Sequence, residues 1–325
     1  MDVPQLAAFA AVVDIGSFTR AAARLGLSQP TVTTRVKSLE QSLGTILLER
    51  LPGGVRPTPM GSELFPYARE IVALTDRAQQ AVRSGGQPHG RLVVGTVESL
   101  TKYRLMPLVE YVYRRYPQMQ VSLRSAVRHD AVTDVRDGRL DCAFFIDTVR
   151  DWEGVATEVL CPEPLVLVGS PDHLLAGRAE ITAADLRTAP LLRAENSAAY
   201  HGLFERSIGL PGSADSPRVF ELDSVDAVKE SVGTGMGMAL LPAITVRREL
   251  ADGRLCPLAW TPDVQTYTQI AWRKANAGNA ALTALIAGAV QVTSEQHDGT
   301  PGVRASTTPL TQPPSPRLPH VTAPG

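Results

Sequence analysis

The chain has 325 residues, of which 44% are hydrophobic and 20% charged, enough for two or three globular domains with filled cores. Its formal net charge of −1 excludes a globally basic nucleic-acid binder, so any contact with DNA must come from a local patch. No apolar run approaches the roughly 20 residues needed to span a bilayer.

The amino terminus lacks the basic flank and apolar core of a signal peptide. Cys142, Cys161 and Cys256 lie far apart, with no Cys-x-x-Cys and no nearby His. Reduced thiols in a cytoplasmic protein are expected, not a disulfide frame or a zinc site.

In chain order, a first helix is predicted from about Pro4 to Asp14, with Leu6, Phe9, Ala10 and Val13 buried and Gly16 ending it. Ser17 then caps a short Ala-rich helix that stops at Gly26. A third helix begins after Ser28, tolerates Pro30 in its first turn and ends at Gly44. Its apolar residues Val32, Val36, Leu39 and Leu43 recur at helical spacing and line one side. The opposite face carries Pro30, Thr34, Lys37 and Ser38, flanked by Thr31 and Thr33, and meets no carboxylate until Glu40. Such a face can approach phosphates and base edges without repulsion, although an ordinary surface helix could carry it too. Two helices joined by a tight glycine turn, the second polar outside, form the pattern of a helix-turn-helix. Between Ser17 and Thr58 the basic residues Arg20, Arg24, Arg35, Lys37, Arg50 and Arg56 face only Glu40 and Glu49, which supplies the local positive patch.

At these residues the chain resembles the LysR-type family of bacterial transcriptional regulators. The match runs through Gly16-Ser17-Phe18-Thr19-Arg20-Ala21-Ala22, Leu25, Ser28-Gln29-Pro30, Val32, Leu39-Glu40, Leu43-Gly44, Leu47, Glu49-Arg50, Thr58 and Gly61. It departs at Leu48, where the family usually has an aromatic residue, and at Thr33-Thr34-Arg35, so the base preference of relatives does not carry over. The DNA-binding candidates are Ser17, Thr19, Arg20, Ser28, Gln29, Pro30, Thr31, Thr33, Thr34, Lys37, Ser38, Arg50 and Arg56.

Thr45–Arg50 and Val55–Thr58 are expected to pair as a wing around the turn Leu51-Pro52-Gly53-Gly54. Thr58 and Pro59 start a long helix to about Arg83, in which Leu64, Ile71 and Ala78 alternate with Tyr67, Leu74 and Ala81 in heptads. That pattern suits either pairing with a second copy or packing on its own domain; the resemblance implies the dimer contact. Ser84–Gly90 reads as a flexible hinge.

From Arg91 the texture becomes alternating strands and helices. Strands are predicted at Arg91–Gly95, Val121–Arg124 and Leu140–Phe145, with helices at Lys102–Tyr116 and Asp130–Arg136. This rhythm implies a parallel sheet covered by helices. Leu165–Val168 opens a second such unit, closed by Gln269–Trp272 and a last helix near Ala280 to Val292. Leu140-Asp141, Leu167–His173, Val232 and Gly235–Pro242 resemble the family's effector-binding domain, which is akin to periplasmic binding proteins.

The expected fold is therefore an all-α winged helix-turn-helix DNA-binding domain plus an α/β two-lobed, periplasmic-binding-protein-like effector domain. The boundaries are 1–58 for the DNA-binding domain, 59–90 for the linker helix and hinge, and 91–293 for the effector domain. Lobe I spans about 91–164 and 266–293, lobe II about 165–265, and a Pro-, Thr- and Ser-rich tail at 294–325 is expected to be disordered.

Ligands of open α/β lobes bind at the carboxyl ends of strands and at helix N-termini. The effector-binding candidates are Ser99, Thr101, Arg128, Ser197, Tyr200 and Ser224. Arg128 could grip a carboxylate in bidentate fashion or serve as a surface salt bridge. Gly233, Gly235 and Gly237 lack the strand-then-helix context of a nucleotide fingerprint, and the six histidines are scattered without a catalytic arrangement.

The resemblance implies a cytoplasmic regulator that is not an enzyme, needs no cofactor or metal and does not engage a membrane. Its partners would be a double-stranded DNA operator, a small organic-acid or amino-acid anion, a second or fourth copy of itself through the linker helix, and RNA polymerase as a candidate contact. The alternatives are a redox regulator sensing through Cys142 or Cys161, and a regulator that binds DNA without a ligand.

Overall fold

The computed structural model describes residues 1–51, 54–83, 87–125, 131–194, 199–209, 218–262 and 265–298. The amino-terminal head opens with α1 (Val3–Ile15), whose N-cap Asp2 forms a capping box with Gln5. It continues through α2 (Phe18–Leu25), capped by Ser17, and α3 (Gln29–Leu43), capped by Ser28. Gly16, Gly26 and Gly44 end these helices in the left-handed region, as a glycine C-cap does. Phe9, Val12, Ala21, Val32, Val36 and Leu39 are buried together in one core. The apolar stripe of α3 stops at Leu39, because Leu43 on the last turn is 41% exposed and the fully buried Leu47 takes the next place in the core.

The wing is shorter than its sequence pattern suggests. Strand β1 covers Leu48–Leu51 and pairs antiparallel with β2, Gly54–Pro57. Thr45–Leu47 adds no ladder, since the amides of Leu47 and Leu48 both donate to the Glu40 carboxylate, at 2.9 and 3.2 Å. Pro52 and Gly53 of the expected turn lie outside the described residues.

Helix α4 (Pro59–Arg83) starts as expected, with Thr58 Oγ1 accepting from the Gly61 amide at 3.1 Å. Its heptads divide by function. Leu64 and Ile71 pack with buried Ala68 against the head, whereas Tyr67 and Leu74 stay 61% and 56% exposed. Ala78 is exposed, and the Ala81 side chain and residues 84–86 of the expected hinge lie outside the described residues.

Lobe I contains β3 (Gly90–Thr96), α5 (Glu98–Leu100), a π-helical turn (Thr101–Leu105), α6 (Met106–Arg115), β4 (Met119–Ser125), α7 (Ala131–Arg136), β5 (Cys142–Asp147) and β6 (Val155–Pro162). The predicted helix at Lys102 thus starts at Glu98 and widens in its first turns before becoming regular. Lobe II holds β7 (Leu165–Gly169), α8 (Ala183–Leu186), β8 (Leu191–Ala194), α9 (Ala199–Ser207), β9 (Val219–Leu222), α10 (Val225–Gly233), β10 (Ala239–Pro242), α11 (Ala243–Ala251) and β11 (Cys256–Pro257). The chain returns through β12 (Tyr267–Arg273) and ends in α12 (Ala280–Asp298).

The sheets are mixed, not purely parallel. In lobe I the order is β4-β3-β5-β12-β6, with β3 parallel to β4 and β5 but β12 antiparallel to both β5 and β6. In lobe II β7 pairs antiparallel with β10 and β11, whereas β8 and β9 are parallel. The reason is topological: the strand returning from lobe II enters lobe I against the direction of its neighbours.

Helix α12 runs past Val292, so Ser294 to Asp298, expected in the tail, belong to it. Its polar end is tolerated because Thr293 donates to the Ala289 carbonyl at 2.8 Å and Gln296 bonds to Arg104.

One close approach yields a stability prediction. A Cβ on Gly61 would lie 2.1 Å from the Leu47 carbonyl oxygen. Gly61→Ala should therefore cost about 3 kcal/mol of head stability, read as a lowered chemical-denaturation midpoint.

Candidate nucleic-acid interface and effector cleft

Ser28, Gln29, Pro30, Thr34 and Lys37 are exposed on one side of α3, and Thr31, Thr33 and Ser38 are half-buried at its borders. The hydroxyls at the border are already ordered: Ser28 and Thr31 share a hydrogen bond of 2.7 Å, and Gln29 Nε2 donates to Thr33 Oγ1 at 2.8 Å. Glu40, the helix's first carboxylate, is folded back onto the amides before the wing and leaves the face free of negative charge.

On α2, Thr19 and Arg20 are exposed, and Arg20 donates to the Ile15 carbonyl at 2.8 Å. Half-buried Ser17 accepts the Arg20 amide at 3.4 Å, so its hydroxyl serves as a cap. Arg50 is exposed on the wing with its guanidinium 5.2 Å from the Phe18 ring centroid, and exposed Arg56 sits opposite Glu49 in the ladder. The sequence-based DNA candidates are thus gathered on α2, α3 and the wing of one small head.

The effector candidates divide differently. Arg128 and Ser197 lie outside the described residues. Ser99 is buried and Thr101 half-buried at the carboxyl end of β3, where Thr101 Oγ1 donates to the Val97 carbonyl at 2.9 Å. Tyr200 does not face a cleft: it is fully buried in the core cluster, because the first turn of α9 points inward. His201 beside it is also buried and donates from Nε2 to the Ala194 carbonyl at 2.5 Å. Ser224 stands at the N-cap of α10 without capping it by its side chain; its hydroxyl donates to Glu98 of lobe I at 3.2 Å.

Glu98 belongs to a polar cluster that sequence reasoning did not assemble. Its other carboxylate oxygen accepts the Val225 amide at 2.9 Å. Lys102 pairs with Asp226, and Tyr103 donates to Asp226 at 3.4 Å and accepts from Lys229 at 2.9 Å. Lys229, nearly buried, also meets Asp226 at 3.0 Å and Glu249 at 2.9 Å. Hydrogen bonds from Lys102 and then Lys229 pull the Asp226 carboxyl down to about 2. Burial alone would lower the Lys229 ammonium, but Tyr103, Glu249 and Asp226 outweigh it and raise the value.

A second cluster lies where the chain crosses between lobes. Arg104 and Glu163, 4% and 0% exposed, pair at 2.9 Å. Thr268 donates to the same Glu163 oxygen at 2.8 Å, and Arg104 also donates to Gln296 at 3.2 Å. A charged residue beside the apolar Leu100, Leu105 and Leu108 positions was the signal that a buried partner was needed.

All three thiols are pushed upward by burial; for Cys161 this exceeds the opposing pull of Arg104. A reactive thiolate needs the opposite shift. Among the described residues no group of three or more His, Cys, Asp or Glu side chains could hold a metal ion, and no helix is long and apolar enough to cross a membrane.

A helix-turn-helix head joined to two α/β lobes is the arrangement of a DNA-binding transcription regulator. Family comparison agrees: residues 3–62 match the bacterial regulatory helix-turn-helix proteins of the lysR family, and residues 85–293 match the LysR substrate binding domain. The chain belongs to the LysR family of transcriptional regulators. It is similar to the uncharacterized HTH-type transcriptional regulator YwqM of Bacillus subtilis, with 32% identity over 287 residues, covering 88% of this chain and 97% of that protein. It is 29% identical over 280 residues to a hydrogen peroxide-inducible genes activator of Pectobacterium carotovorum, covering 84% and 90%. Among solved structures, a full-length OxyR variant from Pseudomonas aeruginosa shares the fold, with a TM-score of 0.70, 24% identity and coverage of 89% and 94%.

The buried imidazole gives a pH prediction. Desolvation, stronger than the Ala194 hydrogen bond, lowers His201 from 6.5 to about 4. The unfolded chain takes up this proton at a higher pH than the fold does, so acidification through that interval favours unfolding. Stability should fall by up to about 3 kcal/mol between neutral pH and pH ~4. Denaturant melts of His201→Gln should lose that part of the pH slope.

Proposed function

We propose that this regulator reads an operator of two-fold character with the α3 helices of two copies, and that a small anionic metabolite in the cleft between the lobes controls it. The observation that carries the DNA reading is the polar α3 face on which Ser28, Gln29, Pro30, Thr34 and Lys37 are exposed, with its one nearby carboxylate turned away. Thr34 and Lys37 are placed to meet base edges or phosphates, and Arg20, Arg50 and Arg56 to flank them. Met60, Tyr67 and Leu74, exposed on α4 at seven-residue intervals, support pairing of copies as dimers or tetramers. A cytoplasmic site of action and a contact with RNA polymerase belong to the same reading.

An anionic ligand is favoured because the parallel strands β3, β4 and β5 end on one side of lobe I, where Ser99 and Thr101 open the following helix. The upward shifts of the thiols favour this over redox sensing. For the ligand to act, it must bind one arrangement of the lobes better than the other.

Binding to fragments from the chain's own promoter region should test the head. Lys37→Ala should weaken binding and reduce the salt slope by about 1, while Thr34→Ala should cost about 1–3 kcal/mol at its base. Unchanged affinity in both variants would remove α3 as the reading helix. Thermal-shift screening of organic and amino acids on the full chain should yield an anion that raises the midpoint in the presence of reductant. A shift seen only without reductant would transfer the reading to the thiols.

A further inference from the structure

The polar cluster inside lobe I at the crossover and the one between the lobes differ in cost. The Arg104–Glu163 pair is almost fully buried, and separating it would leave an uncompensated charge in the interior. Lys102 and Asp226 are 49% and 48% exposed, so their separation is compensated by water and costs little. One cluster therefore acts as a pivot and the other can open. The π-helical turn Thr101–Leu105 carries both, because Lys102 and Tyr103 face α10 while the adjacent Arg104 faces Glu163. Such widened turns are rare in helices and recur at functional sites.

The first turn of α10 is also incomplete within its own lobe. Its N-cap Ser224 makes no side-chain cap bond, and the Val225 amide is satisfied across the lobe boundary by Glu98. The Val225 amide of lobe II thus has its partner in lobe I.

We propose that Glu98, with Lys102 and Tyr103, forms a latch that holds lobe I against α10, and that release of Glu98 from Ser224 and Val225 is the step that lets the lobes rotate about the crossover, where the Arg104–Glu163 pair stays fixed. This rests on the reading of the cleft as the regulatory site. It adds that the chain supplies its own carboxylate to hold lobe I against α10, so an effector acts against a built-in contact.

The test uses the full chain without DNA or metabolite, so its outcome is separate from the operator and screening results. Hydrogen exchange of peptides covering Val225–Gly233 is compared for wild type, Glu98→Ala and Glu98→Gln, with acetate or chloride added at equal ionic strength. Loss of the carboxylate should speed exchange in the first turn of α10 by at least about threefold. Acetate, standing in for the deleted carboxylate, should restore protection in Glu98→Ala, whereas chloride should not and wild type should ignore both. Glu98→Gln keeps the size and one acceptor and should fall between the two. Small-angle scattering should show a larger radius of gyration for Glu98→Ala that acetate reverses. Unchanged exchange in both variants would overturn the latch. So would exchange that acetate cannot rescue, or faster exchange with an unchanged scattering profile, which would mean a local cap only.

Discussion

The bonds of a single carboxylate, Glu40, set the charge of the face that is proposed to read DNA. Glu40 lies on the helix that carries the reading face, and left in solvent there it would repel phosphate. Instead it accepts the amides of Leu47 and Leu48, which would otherwise lack partners at the entry to the wing. One bonded group thus clears the face and fixes where the wing begins. Arg50 and Arg56 owe their positions to that start, because the β1–β2 register follows from it.

The effector half rests on a comparable economy of charge. A dry pair sits in lobe I where the chain crosses over, a wet set spans the lobes, and this asymmetry is what the proposed latch rests on. Coupling between sites requires an element with two arrangements that both sites bias. The widened helical turn at Thr101–Leu105 is the candidate here, since its consecutive side chains answer to different neighbours.

Much of this was legible in the residues. Helix starts at Ser17, Ser28 and Thr58 and stops at Gly16, Gly26 and Gly44 were readable because capping is local chemistry. The β–α alternation announced two α/β lobes, but strand direction did not follow from it, because the antiparallel return of β12 is set by a connection through the whole second lobe. The burial of Tyr200 is not legible in its sequence for a related reason: a helix start is local chemistry, while which of its faces turns inward depends on packing against distant residues. The latch was invisible because Glu98 and Val225 are brought together only by the fold, and neither belongs to a motif.

The reach of the last helix has a practical consequence. The matched effector domain closes at residue 293, but Gln296, on the turn beyond, accepts from the Arg104 guanidinium and donates to its backbone carbonyl. An isolated effector domain trimmed at residue 293 would lose that brace on Arg104. Ligand affinities measured on such a trimmed piece would describe a domain whose buried arginine lacks one of its partners.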